Sequence, residues 1–571
     1  MSYELLNSKG GLEITGQGTA ISRITATDLA NLTPSLSNGD EGKIFYITDT
    51  NQYVFWNGSA IVYIADGGTS SDTQVIFNDV GILEGDPGLT YKKNAQQLTV
   101  ATNLDIWRGG INDSTSTAIG FSTLQLVAPG AINNTAIGWR SMYRNFTGAN
   151  NTAIGVSSLS AAFMTGSNNV AVGFNASAAV STASNTVAIG GLALQGSQSI
   201  TGNDNIGIGN TAMYADGPAA LSGTGNVGVG VSAARRITTG TNNVAIGSNA
   251  MFGAVNITGS NNIGIGTDTL RALSSGTDNV AIGRLSLNTA TIGTYNVAIG
   301  VAAGQTLTNG DYNVFVGLSS GESTSGAITG DDNIGIGRNT FRALSSGSGN
   351  IGIGFQALNA VGSATNCTAI GSNALAANTA GENTAVGANT LTANTLGANN
   401  VAFGGNALQS NTIGIQNTAV GRSALTGLVS GTGNVAVGFQ AINTGTGGSN
   451  NVAVGVSALF AGGGSNNNTG VGNNALLAAT GAANTALGAL AGANIVGGAS
   501  NICIGVSAST SAAGSSNELV FGSAGNFVAT NGAAATYFST ATAGAVIAGN
   551  PQGFIRILLN GTFVKIPVYG N

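Results

Sequence analysis

A five-residue pattern, Asn-Val-Ala-Ile-Gly or a close variant, recurs 24 times between residues 116 and 522. Its last glycine stands at positions 120, 138, 155, 173, 190, 209, 230, 247, 266, 283, 300, 317, 337, 354, 371, 387, 404, 421, 438, 455, 472, 488, 505 and 522, and most copies are 17 residues apart. A period this short excludes a βαβ unit or a propeller blade and suits one coil of a β-solenoid. The longer intervals before glycines 209, 230, 266 and 337 predict loop insertions at one corner.

The columns of the repeat are strict. Counting the glycine as position 0, position −1 is always apolar, position −2 is Ala or Gly in 21 of 24 copies, and position −4 is Asn in 20 of 24. Val and Ile favour strands, in which positions −3 and −1 face one way and −4, −2 and 0 face the other. Neither face is charged, so we predict that both are covered. Because one coil covers only one face, the other requires another chain.

The repeat therefore predicts an all-β fold, a parallel β-solenoid of about 24 coils of 17 residues. Coils stacked about 4.8 Å apart make a rod of roughly 115 Å. We expect the Asn column to form hydrogen-bonded ladders along the stack. The glycine at position 0 predicts a corner with positive φ.

Composition narrows the function classes. Charged residues supply only 7% of the chain and the net charge is −6, while the mean hydropathy is +0.24, which is the opposite of a disordered sequence. A pI of about 4.6 predicts no nucleic-acid partner. No apolar run approaches the ~18 residues of a membrane span, so we predict no membrane insertion. The N-terminus lacks the pattern of a signal peptide, and we expect synthesis in a cytoplasm without that route of export.

The residues of common active sites are scarce. Histidine is absent, which removes the commonest general base and metal ligand. The two cysteines, Cys367 and Cys503, are eight repeats apart. That separation is roughly 40 Å along the stack, far beyond the ~7 Å limit for a disulfide. We predict two buried thiols.

Other candidate sites are weak. "GIGNTA" (207–212) and "GVGVSA" (228–233) mimic a dinucleotide loop, but the repeat itself explains them and no βαβ unit surrounds them. Paired carboxylates would indicate a glycosidase; the candidates are Asp331, Asp332, Glu322, Glu382 and Glu518. We interpret these as solvated corners. The sequence therefore predicts a non-enzymatic protein, with no catalytic, cofactor-binding or metal-binding residues.

Arginines recur at equivalent corners. Those at position +5 are Arg235, Arg271 and Arg342, and those at position +1 are Arg284, Arg338 and Arg422. One interpretation is a stripe that grips acidic glycans through bidentate contacts. The other is a soluble rim paired with Asp268 and Asp278, and we favour the rim.

The motifs "NNVAIG", "NTAIG" and "NTAVG", followed by "ALxA", resemble the head repeats of YadA-like trimeric autotransporter adhesins. This resemblance implies a left-handed β-roll that assembles as a homotrimer, with the second face of the strand packed on the other two subunits. It covers about residues 107–522. The 17-residue coil is longer than that family's usual turn, and no heptad pattern of a stalk is present.

The flanks resemble phage fibre proteins. The segments are "GKIFYITDTNQYVFWNGSAIVYI" (42–64), "TQVIFNDVGILEGDPGLTYKKNAQQLTV" (73–100) and "GFIRILLNGTFVKIPVY" (553–569). The alternating runs 44–47 and 53–56, with Asn57-Gly58 as a second turn, predict a small β-meander. A hairpin is predicted around Asn560-Gly561, with Pro567 at an edge. Trp56, Trp107 and Trp139 are expected to serve ordinary packing.

The resulting domain scheme has five parts. They are an N-terminal virion-attachment segment (1–39), a β-meander (40–66), a linker and β module (67–106), the solenoid rod (107–522) and a C-terminal cap with a hairpin (523–571). The combined interpretation is a homotrimeric structural fibre of a bacteriophage virion, made in the host bacterial cytoplasm. It would attach to other virion proteins through its N-terminal region and to a host surface glycan or protein. A capsid-decorating head fibre and a bacterial trimeric surface adhesin remain alternatives.

Overall fold

The structure is a computed structural model of the chain. It describes residues 21–32, 44–48, 52–56, 61–65, 89–92, 97–100, 104–108, 115–125, 129–161, 163–217, 219–253, 255–522, 528–530, 553–559 and 562–568. The chain divides into two units, Met1–Thr90 and Tyr91–Asn571. Within the described ranges, none of the helices has the length and apolarity to cross a membrane.

The first unit contains a small four-stranded sheet. Its strands are β1 (Ile21–Ile24), β2 (Ile44–Ile47), β3 (Gln52–Trp56) and β4 (Ile61–Ala65), and the helix α1 (Ala26–Leu32) follows β1.

Strands β2, β3 and β4 pair antiparallel in chain order, which confirms the predicted meander. Strand β1 pairs parallel with β2, and the sequence analysis did not anticipate β1 or α1. The side chain of Thr25 caps the helix, because the backbone N–H of Asp28 donates to its Oγ1 at 3.1 Å. The predicted linker at 67–72 lies outside the described residues.

The second unit is dominated by one parallel stack. After β5 (Leu89–Lys92), β6 (Gln97–Val100) and β7 (Leu104–Arg108) come 24 short strands, one for each copy of the repeat. They are β8 (Thr117–Ile119), β9 (Thr135–Ile137), β10 (Thr152–Ile154), β11 (Val170–Val172), β12 (Val187–Ile189), β13 (Ile206–Ile208), β14 (Val227–Val229), β15 (Val244–Ile246), β16 (Ile263–Ile265), β17 (Val280–Ile282), β18 (Val297–Ile299), β19 (Val314–Val316), β20 (Ile334–Ile336), β21 (Ile351–Ile353), β22 (Thr368–Ile370), β23 (Thr384–Val386), β24 (Val401–Phe403), β25 (Thr418–Val420), β26 (Val435–Val437), β27 (Val452–Val454), β28 (Thr469–Val471), β29 (Thr485–Leu487), β30 (Ile502–Ile504) and β31 (Glu518–Phe521). A single 3₁₀ turn, Gly462–Gly464, interrupts the coil that follows β27.

Each of these strands pairs parallel with the strands of the neighbouring coils, residue for residue. Val227 of β14, for example, pairs with Ile206 on one side and Val244 on the other. We number the coils 1 to 24 by their strands β8 to β31. The predicted parallel β-solenoid with a coil of about 17 residues is confirmed. The hand of the coil and the number of chains in the fibre stay predictions.

The asparagine column forms the predicted ladder inside the stack. The backbone N–H of Asn243 donates to Oδ1 of Asn226 at 3.0 Å, and its side-chain amide donates to the carbonyl of Gly259 at 2.9 Å. Asn262 repeats the backbone bond onto Asn243 at 3.0 Å. These amides are buried, so each ladder bond satisfies backbone groups that would otherwise lack a partner.

The glycine at position 0 is required by two independent facts. Gly247 has φ of +129°, and a Cβ on it would lie 2.6 Å from the carbonyl oxygen of Gly266 in the next coil. Only glycine adopts this backbone readily, and only glycine lets neighbouring coils approach so closely. The predicted corner with positive φ is confirmed.

Small residues on the strand and larger ones after the corner fill the inside of each coil. Position −2 is buried in every coil, as Ala245 is, and so is the apolar residue at position +4 where one occurs, such as Met251. A third buried apolar residue precedes the next strand, for example Leu273. The core is thus a narrow continuous column, fully enclosed by its own chain.

One irregularity in this core shows how its volume is conserved. Phe315 replaces the usual Ala or Gly at position −2, yet it is fully buried. Position +4 is glycine in its own coil and in the preceding one, and a Cβ on Gly321 would lie 2.7 Å from the Phe315 ring. The ring therefore occupies the space that two leucine side chains fill elsewhere, as close packing demands.

Antiparallel strands adjoin both ends of the stack. Strand β7 pairs antiparallel with both β6 and β8, and β32 (Val528–Thr530) pairs antiparallel with β31. Such reversals cover the backbone groups that the first and last coils would leave unpaired. Strand β32 lies in the segment predicted as a C-terminal cap. The predicted terminal hairpin is confirmed as β33 (Gly553–Leu559) and β34 (Thr562–Val568), in which Pro567 stands opposite Phe554.

Candidate functional site

The first candidate surface is a line of branched side chains, which we call the apolar stripe. It consists of positions −3 and −1 of all 24 coils, and none of these side chains is buried by its own chain. Ile246 and Ile299, for example, are each 39% exposed. No charged residue occurs at these positions.

The apolar stripe is larger than the apolar patches of ordinary monomers. Coils spaced about 4.8 Å apart extend it over roughly 110 Å. The largest patch on a typical monomer covers about 300–600 Å², which is only roughly 17–25 Å across. Every rung presents nearly the same pair of side chains. A partner that covers the whole stripe must therefore carry the same axial spacing, and another copy of this chain does.

The second candidate surface is the variable corner, defined as position +5 and the residues between it and the next buried apolar residue. In a regular coil such as coil 9 it contains only Arg271 and Ala272 before the buried Leu273. In the long intervals it grows to 252–256 before Ile257 and to 322–327 before Ile328. The predicted insertions do therefore lie at one corner.

Rings and guanidinium groups alternate along this corner. Tyr214, Arg235, Phe252 and Arg271 occupy position +5 of coils 6 to 9. The Arg235 guanidinium carbon lies 5.6 Å from the centre of the Tyr214 ring and 4.9 Å from that of Phe252. The Arg271 guanidinium carbon lies 5.8 Å from the centre of the same Phe252 ring. These are cation–π contacts.

An ion-pair cluster joins the same corner. Asp216, in the insertion of coil 6, bonds Arg236 Nε at 2.6 Å and Arg235 Nη2 at 2.5 Å. The hydrogen bond from Arg236, together with Arg235, lowers the pKa of Asp216 from 3.8 to about 2. The carboxylate is thus ionised at any physiological pH and neutralises much of the arginine charge beside it.

The predicted arginine rim is correct in part. Arg271 lies 3.7 Å from Asp268, as expected. The expected role of Asp278 is wrong, because Asp278 accepts the side-chain amide of Asn261 at 3.1 Å, in a ladder of exposed side chains. At position +1, Arg338 stacks on the ring of Phe355 at 4.4 Å. Asp216 was not predicted from the sequence, because it lies in an insertion outside the aligned columns.

A separate group of rings and arginines lies on coil 2. The Arg140 guanidinium carbon is 5.2 Å from the Trp139 ring centre and 4.7 Å from that of Tyr143, and Arg144 is 5.6 Å from Tyr143. The Trp139 side chain is 46% exposed, so this chain covers only about half of it, and its expected packing role stays a prediction. The side chains of Trp56 and Trp107 lie outside what the structure describes.

A shallow cleft continues this corner across coils 3 to 5. Its volume is about 260 Å³, and its lining is uncharged: Ala161, Phe163, Ala178, Ala179, Ser181, Ser197, Gln198 and Ser199. Phe163 is 71% exposed. The cleft adjoins coil 2 directly, because the backbone N–H of Met164 donates to the carbonyl of Arg144 at 3.2 Å.

The two cysteines are buried and free, as predicted. Burial raises the pKa of Cys503 to about 11, and burial also raises the pKa of Cys367. Both groups are therefore neutral thiols at pH 7, protected from reaction. Cys367 occupies a ladder position, and its N–H still donates to Oδ1 of Asn350 at 3.0 Å.

The carboxylates weighed as catalytic candidates belong to different parts of the stack, except for the sequence neighbours Asp331 and Asp332. Glu322 belongs to the variable corner and Glu382 to an exposed turn, while Glu518 is buried in the last coil, where Ser511 donates to it through N–H at 2.8 Å. Asp331 accepts the N–H of Asp311 at 2.8 Å. Over the described part of the chain, no three Cys, Asp or Glu side chains gather as a metal ion would require.

The glycine motifs that mimic a dinucleotide loop are parts of the stack. Gly207 and Gly228 are the middle residues of strands β13 and β14 and pair with each other. Neither opens a helix N-terminus that would bind a phosphate.

Comparisons with known proteins give no further indication. No family model matches the chain, and searches of the curated proteins and of the solved structures yield no match.

Proposed function

We propose that this protein is a non-enzymatic fibre protein of a bacteriophage virion, a rigid homotrimeric rod that attaches to the host surface. The observation that carries the proposal is the apolar stripe, which every coil presents and which the chain itself leaves uncovered. The virion context rests on the resemblance of the flanking segments to phage fibre proteins, and the number three rests on the resemblance of the repeats to YadA-like heads.

Energetics support assembly along the stripe. Apolar surface removed from water contributes about 25 cal/mol per Å², so even a modest burial at each of 24 rungs accumulates into a stable interface. Copies aligned in parallel match rung for rung because they share one spacing. A rod made this way transmits force along its length, since every coil is hydrogen-bonded to the next.

The mass of the full chain in solution tests the assembly. We expect light scattering to give three times the chain mass and negative-stain microscopy to show a rod. The double variant Ile246→Lys/Ile299→Lys puts two charges into the stripe at exposed positions and should yield monomers. Thr239→Lys/Ser346→Lys adds the same charge at exposed positions away from the stripe and should stay trimeric. A monomeric parent, or a trimer that tolerates the stripe charges, would refute the assembly.

The virion assignment needs its own measurement. Gold-labelled antibodies against the rod should decorate intact phage particles in electron micrographs. Label at the tail agrees with host attachment, and label on the head would instead favour a decorating fibre. Label on bacterial cells that carry no phage would identify a surface adhesin and contradict the proposal.

A further inference from the structure

Charge is distributed unevenly along the solenoid. Between residues 115 and 203 the only charged residues are Arg140 and Arg144. Towards the C terminus the next acidic residue is Asp204 of coil 6, more than three coils away, which is roughly 15 Å at about 4.8 Å per coil. Charges are screened over about 8 Å at physiological salt, so no acidic residue of the coils from 115 to 203 neutralises these two arginines; Asp113, on the N-terminal side, lies outside the described residues.

The two guanidinium groups are held close together. Both lie on the Tyr143 ring, so their carbons are within about 10 Å of each other. Among the described residues, neither takes part in an ion pair, in contrast to Arg235, Arg236 and Arg271. The two positive charges are therefore placed near one another by contacts with the same ring and not by a carboxylate.

The surroundings of the pair complete a site. The exposed Trp139 ring lies beside Arg140, with its centre 5.2 Å from the guanidinium carbon. The uncharged cleft of about 260 Å³, which has the exposed Phe163 in its lining, begins on the next coil. The cleft wall carries the hydroxyls of Ser181, Ser197 and Ser199. Guanidinium groups bind carboxylates through paired hydrogen bonds, while hydroxyls and a ring face suit the polar edges and apolar faces of a sugar.

We propose that the surface formed by Trp139, Arg140 and Arg144 of coil 2 together with the variable corner of coils 3 to 5 binds a carboxylated polysaccharide. Arg140 and Arg144 hold the carboxylate, and Trp139, Phe163 and the serine-lined cleft receive the sugar rings beside it. This inference rests on the proposed role in host attachment and names the class of surface ligand. A trimer would present three such sites at one height, so that weak binding at each adds through effective concentration.

Binding of polygalacturonate, a polymer of acidic sugars, to the full-length protein tests the site. We expect binding that weakens as salt is raised, and no binding of neutral dextran. Arg140→Gln/Arg144→Gln should weaken binding at least tenfold, since the charge-assisted hydrogen bonds to the carboxylate are lost. Arg284→Gln/Arg422→Gln removes the same charge from two exposed, isolated positions and should leave binding unchanged.

Two further outcomes are informative. Phe163→Ser should weaken binding by a smaller factor without changing its salt dependence, because it removes a ring and no charge. Equal losses in the two arginine variants, equally tight binding of double-stranded DNA, or no binding of polygalacturonate would overturn the inference. Light scattering on the same samples separates the two proposals, because a trimer without binding refutes only this site, while a monomer refutes the assembly.

Discussion

The two halves of the solenoid share an interior and differ at one corner. Coils 1 to 13 (115–349) contain 16 of the 19 charged residues of 115–522 and all four of the longest insertions. Among the described residues, they also contain all five of the single-residue β-bridges that join neighbouring coils outside the strands. Coils 14 to 24 (350–522) are regular and nearly uncharged. Yet the same glycines, small residues and asparagines occupy the same positions in both.

This difference separates what makes the fold from what gives the surface its chemistry. The glycine corner and the core residues repeat because each coil must stack on the next. The variable corner makes few of these contacts, so it accepts rings, charges and insertions without disturbing the stack. Recognition of a ligand is therefore expected in the first half, and the second half supplies length.

The largest expected effect comes from Phe315, which is the main irregularity of the shared core. Phe315→Ala should cost about 3–5 kcal/mol, because it leaves a cavity in a closed core. Gly321→Leu alone should also destabilise, since the new side chain meets the Phe315 ring. The double variant restores the usual arrangement in this coil, where Leu425 of a regular coil adopts φ of +53° at the same position, while Gly304 of the preceding coil stays; it should recover about half of the loss.

Hydrogen exchange of the amides in coils 11 to 13 reports this local stability. The control is Leu425→Ala in the second half, which has no compensating ring and should lose about 2–5 kcal/mol. Additive losses in the Phe315→Ala/Gly321→Leu protein would contradict the idea that the two positions exchange volume.

The next largest effect concerns the glycine corner in both halves. Gly190→Ala and Gly404→Ala should each destabilise by about 2–4 kcal/mol, because φ is +130° and +126° and the new Cβ would lie 2.5 and 2.6 Å from the backbone of the next coil. The neighbouring Gly191 and Gly405 have no positive φ; a Cβ would lie 3.1 Å from the side-chain amide of Asn210 at Gly191 and at an ordinary 3.8 Å from the carbonyl oxygen of Ala388 at Gly405. Their alanine variants should be nearly neutral.

Urea unfolding of the four variants measures the comparison. Equal losses at Gly190 and Gly404 would support one interior for the whole stack. A loss confined to one half would show that the halves differ in more than the corner.

The smallest expected effect is the pH response of the first half. The pKa of Asp216 is lowered from 3.8 to about 2, so its ion pairs contribute fully above pH ~4 and are lost as the pH falls towards 2. Asp216→Asn should lower the free energy of unfolding at pH 7 by no more than about 1 kcal/mol, and the melting temperature should fall accordingly. The difference from the parent should shrink as the pH falls through this window.

Thermal unfolding of the parent and Asp216→Asn proteins across pH 2 to 7 provides the measurement. Glu382→Gln, at an exposed turn in the second half, is the control and should show no such convergence. A parent–variant difference that persists at pH 2 would mean that Asp216 acts through packing and not through its charge.

The interior of the solenoid was predictable because identical constraints act on every coil. A repeated Asn in a parallel stack forms a hydrogen-bonded ladder, and a repeated Gly forms a corner with positive φ; both predictions are confirmed. The exchange between Phe315 and Gly321 escaped prediction, because it depends on which side chains face each other across coils. Strands β2 and β3 followed from alternation and β4 from the turn at Asn57-Gly58, whereas β1 required knowledge of a distant pairing.

The surface was harder to predict, because the variable corner obeys no column. Arg140 and Arg144 follow one glycine by two and six residues, a spacing with no evident meaning until the chain is coiled. Only the coil places both guanidinium groups on the Tyr143 ring. Asp216 was missed for the same reason, since insertions shift residues out of register with the repeat. The aligned columns of the repeat thus predict the stacked core but not the side-chain contacts of the surface.

The antiparallel strands at either end have a consequence for how such a protein changes over time. Because each coil meets its neighbours through the same set of bonds, duplicating or deleting a whole repeat leaves both terminal joints intact. The length of the solenoid is then adjustable in steps of about 4.8 Å. Under the proposed role as a fibre, gain or loss of single repeats would change the distance between its two ends without altering either end.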